Sequence, residues 1–521
     1  MAIRKLLLLG LVLCLQAAEP IRIGLEKSVL SLNPLLLARE VESQVVDMVF
    51  DRLVTLDDKG VFVPQMLAKW DISKDGRDIL LTLRPGLVWQ DGKPVEAEDV
   101  VYTWRMLSLP EVRKVFDLEG VRTLDSVKAE GPLKVRIHLR QPRATLLADL
   151  YNFQPIPRHL YGPGADRYSH PLNYAPVGSG PYRVLPGATS KEIHLERWPG
   201  YRGPNPGRWD RFDFRVQPED PTESTRQVKA DKYDFAALDW FHHYLLRKGV
   251  FGDGSLIART VPTASYDTFW LNCNPKTSLL AEQRLREALA NLLPWEFLMG
   301  QRRLRSNRAA NCLWPPQSFA FDDTAFSLPR PERAKELLDA AGWRLGPDGL
   351  RVDAQGRALT LVMYARQTFS HGDVSQAFCD QARKVGISID LRRISVDEVT
   401  TMSAHGKGDI WCYPWNTSLD PNDDAPLFTT AGIASGVNVT HYSNHEVDQF
   451  FEEGRHELDP VARKTIYLML NQIIQREHPV IQLTYGVAYL AISRRLQGVE
   501  FNPLGQSYGL VPGRRGWTLK P

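Results

Sequence analysis

Residues 359–391 read LTLVMYARQTFSHGDVSQAFCDQARKVGISIDL and decide the fold class of this chain. Apolar residues at alternate positions predict a strand on each side of the segment, at Leu359, Leu361 and Met363 and again at Ile387, Ile389 and Leu391. Between them, Asp373 is predicted to cap a helix that Gly386 ends, with an inward face formed by Val374, Ala377, Phe378 and Val385. A strand–helix–strand unit joins parallel strands, so the sequence predicts an α/β architecture.

Other elements are predicted by their end signals. Helices are predicted from Glu96, Glu98 and Asp99 through Leu107, from Pro331 to Gly342, and from Asp459-Pro460 to His478-Pro479. Another helix is predicted by Val45, Val46, Val49, Leu53 and Val54. Asp75-Gly76 indicates a hairpin turn, and the remaining strands are predicted at Ile21 and Ile23, at residues 193–195 and at residues 212–216.

Length and composition exclude several classes of protein. The chain has 521 residues, of which 43% are hydrophobic and 24% charged, so it is neither disordered nor a multi-span membrane protein. Single cores stop growing at roughly 250–300 residues, so at least two lobes are expected. The 64 basic side chains nearly balance the 61 acidic ones, and this gives no basis for a nucleic-acid-binding function.

The first residues are typical of an export signal. Arg4 and Lys5 precede an apolar run over residues 6–15, and Ala17 and Ala18 follow it. The run is too short to span a bilayer, so residues 1–18 are predicted to be a signal peptide, with a buried N-terminal helix as the alternative. Lipid attachment at Cys14 is a second alternative, although Leu13 is an unfavourable residue before a lipidated cysteine. An exported, periplasmic protein is expected.

Four cysteines follow the signal: Cys273, Cys312, Cys379 and Cys412. They are too few to form the framework of a chain of this size. One or two disulfides could form in an oxidising compartment, and the sequence leaves their pairing open.

The chain has no convincing catalytic or metal-binding motif. The chain lacks His-Glu-x-x-His, Gly-x-Ser-x-Gly and Gly-x-x-x-x-Gly-Lys. Gly178-Ser179-Gly180 resembles a nucleophile turn, but Pro176 and Pro181 bracket it and no helix is predicted to follow. No metal, cofactor or catalytic residue is predicted, and the absence of such motifs favours a binding protein over an enzyme.

Three arrangements that imitate metal sites have simpler interpretations. His441 and His445 are separated by a predicted loop, and His242 and His243 would lie on opposite faces of a strand. The stretch from Asp71 to Gly76 imitates a calcium loop, but Thr82 stands where that loop needs a bidentate glutamate. It is therefore predicted to be a hairpin turn.

A series of short motifs occurs in the order found in one bacterial family. They are Leu53-Val54, the segment Pro64-Gln65-Met66-Leu67-Ala68-Lys69-Trp70, Asp75-Gly76, Leu83-Arg84-Pro85-Gly86, Asp91-Gly92-Lys93-Pro94, Ala97-Glu98-Asp99-Val100, Ile156-Pro157-Arg158-His159, Pro176 to Tyr182, Arg284 to Leu289, Ala334 to Trp343, Lys384 to Ile387 and Tyr442 to Asp448. Together they resemble the bacterial extracellular solute-binding proteins of family 5, the peptide- and nickel-binding receptors of ABC importers.

The resemblance implies a two-lobed periplasmic-binding-protein-like fold of the class II, or cluster C, type, with an extra subdomain in the first lobe. The first lobe would comprise residues 19–45, 169–265 and 489–521. The extra subdomain would occupy residues 46–168, and the second lobe residues 266–488. Hinge strands would lie near residues 269–272 and 484–487.

It also implies a function and partners. The chain would capture oligopeptides or peptide-like solutes in the cleft between its lobes and deliver them to a permease and ATPase complex in the inner membrane. It would act as a monomer, without a cofactor and without catalysis.

Six residues are candidates for ligand contact on this resemblance: Trp411, Trp415, Ser418, Asp420, Arg366 and Tyr485. Peptide-binding members resembling this chain place an aspartate near a Trp-rich segment to pair with the peptide's amine. Ser418 stands at the corresponding position here, so either Asp420 takes that role or no free amino terminus is read. Arg366 follows a predicted strand, where it either meets a ligand carboxylate or is an exposed loop arginine. For Trp411, Trp415 and Tyr485 the alternative is ordinary core packing.

Three alternatives remain open from the sequence. The ligand could instead be a nickel chelate, haem, an opine or an oligosaccharide. The chain could be an exported hydrolase on a similar scaffold, or a structural or chaperone-like envelope protein.

Overall fold

The computed structural model describes residues 19–36, 40–57, 60–109, 124–162, 170–250, 254–305, 308–322, 328–366, 369–417, 420–501, 510–511 and 513–520. The predicted signal peptide, with Cys14, lies outside these residues. Among the residues described, no helix is both long enough and apolar enough to cross a membrane.

A ten-stranded mixed sheet forms the centre of the molecule. Its strands, in spatial order, are Ser388–Ile394, Thr360–Arg366, Ile410–Asn416, Leu256–Leu271, Val480–Ser493, Phe235–Ala237, Ile21–Leu25, Arg211–Val216, Glu192–Arg197 and Tyr182–Val184. The two central strands are much the longest. We call Leu256–Leu271 the first crossing strand and Val480–Ser493 the second crossing strand.

Helices cover this sheet and a smaller one. The α-helices are Glu40–Val49, Ala97–Leu107, Leu146–Tyr151, Pro221–Lys229, Trp240–Arg247, Gln283–Ala290, Trp295–Arg305, Pro331–Ala340, Phe369–Lys384, Val396–Ala404, Ala425–Phe428, Thr430–Ser435, His445–His456 and Pro460–Glu477. A four-stranded antiparallel sheet has the order Leu67–Ile72, Asp78–Leu83, Lys134–His138 and Ser126–Ala129. Paired short strands are Val54–Leu56 with Phe62–Pro64, Arg344–Leu345 with Arg351–Val352, Leu496–Gln497 with Thr518–Leu519, and Glu500–Phe501 with Leu510–Val511.

The α/β prediction is confirmed. Strands Thr360–Arg366 and Ser388–Ile394 pair in parallel, and helix Phe369–Lys384 connects them. Asp373 is not the cap, because the helix already begins four residues earlier. Gly386 follows the helix with a φ of +93°, a conformation that glycine adopts without strain.

Several predicted helix ends are also confirmed. Helix Ala97–Leu107 begins with a reciprocal capping box between Glu96 and Asp99. The carboxylate of Asp459 caps helix Pro460–Glu477 by accepting hydrogen bonds from the amides of Val461 and Ala462.

Two local predictions are wrong. Helix Glu40–Val49 ends before Leu53 and Val54, because Val54 opens a short strand instead. His242 and His243 lie in helix Trp240–Arg247, where the carboxylate of Asp239 accepts hydrogen bonds from the amides of Phe241 and His242. That cap outweighs the strand preference of an aromatic segment.

The crossing strands pair along almost their whole length, from Leu256 opposite Ser493 to Trp270 opposite Val480. The register shifts at two places, between the pair Pro262–Val487 and the pair Tyr266–Tyr485 and again between Asp267 and Thr268. The first of these shifts, which is the larger, is called the register break below. Three residues of the first strand, Thr263, Ala264 and Ser265, therefore face Gly486 alone. Gly486 lies within the predicted hinge at residues 484–487, whereas the predicted hinge at residues 269–272 lies beyond the break, where Phe269 and Trp270 pair with Ile481 and Val480.

The buried apolar residues divide at the same break. One core group takes residues from 21 to 261 and from 488 to 519, and a smaller group lies beside it. Two other groups take residues from 266 to 485 only. On this partition we propose two lobes joined at the crossing strands, with residues 266–488 as the second lobe, although Ala488 itself packs with the first core group. Residues 46–168 share that first core group, so the extra subdomain there stays a prediction from the resemblance.

The Gly178-Ser179-Gly180 segment has a structural role. Gly180 donates its amide hydrogen to the carbonyl of Val49 at 2.7 Å, and the Ser179 hydroxyl accepts from the Asp51 amide at 2.9 Å. A Cβ added to Gly178 would stand 1.9 Å from the Val49 carbonyl oxygen. The glycine therefore allows two backbones to approach closely.

Substituting Gly178→Ala should lower the free energy of unfolding by about 2–3 kcal/mol, because a backbone carbonyl cannot move aside as a flexible side chain can. Urea unfolding monitored by tryptophan fluorescence measures the change. The control is Gly300→Ala, where the added Cβ meets nothing within 4 Å and the helix gains a better former. Equal stability of the Gly178→Ala variant and wild type would contradict the close-approach argument.

Candidate functional site

The parallel strands of both lobes end towards the register break. In the first lobe, Ile21–Leu25, Arg211–Val216 and Phe235–Ala237 run in parallel, and the last of them is antiparallel to the second crossing strand. The second crossing strand runs from the second lobe into the first, so the carboxyl ends of these three strands point at the second lobe.

The second lobe mirrors this arrangement. Strands Thr360–Arg366, Ser388–Ile394 and Ile410–Asn416 run in parallel, and the last is antiparallel to the first crossing strand. Their carboxyl ends therefore point at the first lobe. Ligands of open α/β sheets bind at the carboxyl ends of strands, so the junction between the two sets of ends is the candidate site.

Trp415 lies at the second lobe's edge of this junction, one residue before its strand ends. Its half-buried indole packs edge-to-face on Trp270, with ring centroids 5.9 Å apart. Its Nε1–H donates to Oδ1 of Asp424 at 3.2 Å. Two independent contacts thus fix the orientation of the ring.

Arg366 is the last residue of its strand and is half-buried, which places it at the same edge as predicted. Ser418 lies outside the described residues. The preceding Thr417 is tied to the register break, because its amide and its hydroxyl both donate to the carbonyl of Ala264, at 2.7 and 3.0 Å. The segment that carries the candidate ligand residues is therefore anchored at the junction of the lobes.

Asp420 is engaged inside the protein. Its two carboxylate oxygens accept hydrogen bonds from Arg463, at 2.7 Å from Nη1 and 2.6 Å from Nη2, and both side chains are more than nine-tenths buried. The Arg463 guanidinium also lies over the rings of Phe319 and Tyr467. A ligand ammonium could reach this carboxylate only by competing with a buried bidentate partner.

Trp411 and Tyr485 are core residues in this structure. Trp411 is fully buried and donates its indole hydrogen to the carbonyl of Lys407 at 2.8 Å. The Tyr485 hydroxyl accepts from the amide of Cys312 at 3.0 Å and lies 3.2 Å from the side-chain oxygen of Asn311. The packing therefore does not support the predicted ligand contacts of these two residues, because neither offers accessible surface.

Two residues near the junction were not predicted from the sequence. Arg308 is exposed beside the second crossing strand, where its carbonyl accepts from the Tyr485 amide at 2.8 Å and its guanidinium lies over the ring of Phe321. Asp424 is buried behind Trp415, and its Oδ2 has no hydrogen-bond partner. The basic run before Arg308 and the acidic pair Asp423-Asp424 were visible signals, but neither has a spacing that identifies a site.

Burial raises the pKa of Asp424 to about 7, although the indoles of Trp415 and Trp314 partly stabilise the anion. The charge of the nearby Asp420 carboxylate also raises the pKa of Asp424. Desolvation is expected to have this effect on a carboxylate that lacks a cationic partner.

The cysteines and the acidic residues do not form a metal site in the described part of the chain, where no cluster of three or more His, Cys, Asp or Glu side chains is found. Cys273, Cys312, Cys379 and Cys412 are all buried and unpaired, which answers the question of disulfide pairing. Burial raises the pKa of the Cys273, Cys312 and Cys379 thiols to about 11 and that of Cys412 to about 12, so none is a ready nucleophile.

Comparison with known proteins agrees with this arrangement. Residues 61–435 match the bacterial extracellular solute-binding proteins, family 5 middle region. Protein XP55 of Streptomyces lividans is 26% identical over 518 residues, covering 97% of this chain and 90% of its own. The oligopeptide-binding protein AppA of Bacillus subtilis is 23% identical over 506 residues, covering 94% and 89% of the two chains.

Solved structures share the fold. The structure of AppA from Bacillus subtilis with a nonapeptide superposes with a TM-score of 0.81 at 21% identity, covering 96% of this chain and 99% of that one. The structure of NikZ from Campylobacter jejuni with Ni(L-His) has a TM-score of 0.83 at 22% identity, again with 96% and 99% coverage.

Substituting Asp420→Ala should lower the free energy of unfolding by about 3–5 kcal/mol, because it leaves the Arg463 guanidinium buried without a partner. The double variant Asp420→Ala/Arg463→Met should recover part of this loss, since it removes the unpaired charge. Urea unfolding measures both. Asp390→Ala is the control, since its pair with Arg392 is about half exposed, and a change within about 0.5 kcal/mol is expected there. An unchanged stability of Asp420→Ala would show that the pair is not structural.

The stability of the protein should fall as pH rises from about 4 to about 7 through Asp424. The folded protein keeps this proton up to about pH 7, whereas the unfolded chain releases it near the ordinary value of 3.8, so rising pH favours unfolding. The variant Asp424→Asn keeps an acceptor for Trp415 but cannot titrate. Between pH 4.5 and 7.5, wild type should lose on the order of 3 kcal/mol relative to it in chemical unfolding. Parallel pH curves would contradict the assignment.

Proposed function

This chain belongs to the bacterial extracellular solute-binding proteins of family 5, and on that premise we propose that it is the receptor of an ABC importer for oligopeptides or peptide-like solutes. The export signal at residues 1–18 takes the protein to the periplasm, where it acts as a monomer. Ligand enters between the lobes, and the loaded protein delivers it to a permease and ATPase complex in the inner membrane.

The observation that carries the proposal is the convergence of strand ends at the register break. Three carboxyl ends from each lobe, including Ala237 on one side and Arg366 on the other, point at one junction. A ligand held there touches both lobes, so its binding energy favours the arrangement in which the lobes are close. The crossing strands, whose larger register shift lies at Gly486, provide the place where the lobes rotate.

Peptides suit this junction better than the other ligand classes. An extended peptide binds through its backbone, and strand ends supply amides and carbonyls for that purpose, while side chains occupy pockets of looser fit. The relative AppA, an oligopeptide-binding protein, aligns over 94% of this chain. A nickel chelate is the second candidate, supported by the likeness to NikZ, but within the described residues no side-chain cluster offers ligands to the metal itself.

A binding function without catalysis fits the chemistry of the site. The buried thiols have raised pKa values, and the Ser179 hydroxyl is hydrogen-bonded to backbone rather than to a base. Asp420 is neutralised by Arg463. Among the described residues at the junction, no nucleophile has a general base beside it.

The primary test is native mass spectrometry of the protein purified from its own periplasm, followed by denaturing release of the bound molecules. A ladder of peptide masses is the expected result. A single non-peptide mass would replace the peptide proposal with the second candidate. Isothermal titration with tetra-alanine then gives the affinity for a defined probe.

Acetylating the amino terminus of tetra-alanine should change its dissociation constant by less than about threefold, because the Asp420 carboxylate is already bound by Arg463. Loss of a charge-assisted hydrogen bond to a carboxylate would instead weaken binding by about 10- to 100-fold. Isothermal titration of the free and acetylated peptides decides between these outcomes. A loss of the larger size would assign a carboxylate of this chain to the ligand amine.

A further inference from the structure

The extra subdomain contacts the second lobe directly, away from the crossing strands. On the subdomain the contact comprises Gly76 and residues 142–149. On the second lobe it comprises residues 454–458 at the turn between helices His445–His456 and Pro460–Glu477. These two sets of residues are called the interlobe contact below.

Two hydrogen bonds cross the interlobe contact. The Ala144 amide donates to the carbonyl of Arg455 at 3.0 Å. Nδ1–H of His456 donates to the carbonyl of Pro142 at 2.6 Å, and Nε2 of the same ring lies 3.1 Å from the Glu452 carboxylate. The histidine is thereby held by its own helix while it reaches the other lobe.

A small apolar contact adds to them. The hairpin turn at Asp75-Gly76 places Gly76, with a φ of +70°, against Pro142 and Leu458. A Cβ at Gly76 would stand 2.8 Å from the Pro142 Cβ and 3.2 Å from the Leu458 Cδ1. The turn therefore fits closely between its own subdomain and the other lobe.

Paired charges lie behind the contact on both sides. Arg143 and Asp149 of the subdomain are 2.8 Å apart, with side chains only 5% and 14% exposed. Asp420 and Arg463 form the corresponding pair in the second lobe. Burial raises the pKa of Asp149 to about 6, and the Asp420 carboxylate contributes in the same direction, so the two pairs are close enough to interact.

We propose that the interlobe contact is a latch that holds the lobes together in the absence of ligand. Rotation of the second lobe about the register break separates Ala144 from Arg455 and Pro142 from His456. Opening therefore breaks two hydrogen bonds and one apolar contact, none of which involves the strand ends where ligand would bind. The extra subdomain has a function of its own on this account: it sets the population of the closed state that the ligand meets.

The groups that form these two hydrogen bonds bind water when the lobes separate. Each bond therefore stabilises the closed state only by its small net free energy relative to hydration. Each of the two bonds should change the ratio of closed to open protein by about two- to tenfold. The latch thus biases the equilibrium without fixing it.

The exchange rate of the Ala144 amide hydrogen measures the latch directly, because its acceptor lies in the other lobe. The experiment uses protein freed of ligand by unfolding, dialysis and refolding. In His456→Phe, which keeps the ring but loses the donor, this amide should exchange about two- to tenfold faster than in wild type. His456→Asn supplies an amide donor near the position of Nδ1 and should restore part of the protection.

Matched controls separate opening from general loosening. The Asp149 amide donates to Thr145 within the subdomain, so its exchange should not change in any of these variants. Leu458→Ala removes the apolar contact and should also speed exchange at Ala144. Val461→Ala, three residues further on and 75% exposed, should not. Small-angle scattering should give a larger radius of gyration for His456→Phe than for wild type.

An unprotected Ala144 amide in the ligand-free wild-type protein would overturn the proposal. So would equal protection and equal radius of gyration in wild type, His456→Phe and Leu458→Ala. No ligand is used, so the result is independent of the proposed function: a protein that binds no peptide can still show the latch, and a peptide receptor can lack it.

Discussion

The main-chain pairing between the first and second crossing strands is the constraint on which the rest of the structure depends. Leu256–Leu271 and Val480–Ser493 lie at the centre of the ten-stranded sheet, and every other strand is placed by its direction relative to them. Because the crossing strands are antiparallel, the parallel sets on their two sides run towards each other. The junction of carboxyl ends is therefore a geometric consequence of how two strands pair, not of any particular ligand residue.

The same pairing explains why the lobes can move without unfolding. Main-chain hydrogen bonds hold the strands on both sides of the register break, where three residues of the first strand face Gly486. A smaller register shift follows between Asp267 and Thr268. A Cβ at Gly486 would stand 1.9 Å from the Ser265 hydroxyl, so the side chains of the bulged strand would have to move to admit any other residue there. The proposed rotation about this interval would therefore leave the regularly paired parts of the ladder intact.

The charges near the junction are largely satisfied within the protein. The Asp420 carboxylate is bound by Arg463. Asp424, whose pKa burial raises to about 7, orients Trp415 by accepting its indole hydrogen. The surface described at this junction includes an oriented indole and the polar backbone of strand ends, beside half-buried Arg366, which has contacts of its own within the protein. Such a surface recognises the shape of an extended chain more than the identity of its side chains, which agrees with a receptor of broad specificity.

The sequence was sufficient where the signal is local. Alternating apolar residues and Gly386 predicted the strand–helix–strand unit, and Asp459 predicted the start of the last long helix. It was insufficient where an outcome depends on a distant partner. No residue near Asp420 in the sequence predicts its pairing with Arg463, which is 43 positions away. The burial of Trp411 and Tyr485 likewise depends on packing between distant elements. The hairpin turn at Gly76 was predicted, but its contact with Leu458 could not be.

The interlobe contact must be weak to be useful, and its composition keeps it so. A receptor that is closed nearly all the time would admit ligand slowly. In one that is open nearly all the time, the free energy needed for closure would lower the apparent affinity for ligand. Two hydrogen bonds whose partners accept water when separated, together with one proline–leucine contact, change the equilibrium by a limited factor. The buried ion pairs stay on their own sides of the contact, so opening exposes charges that already have partners. A latch built from cross-lobe ion pairs would instead have left unpaired charges on opening and made the closed state far harder to leave.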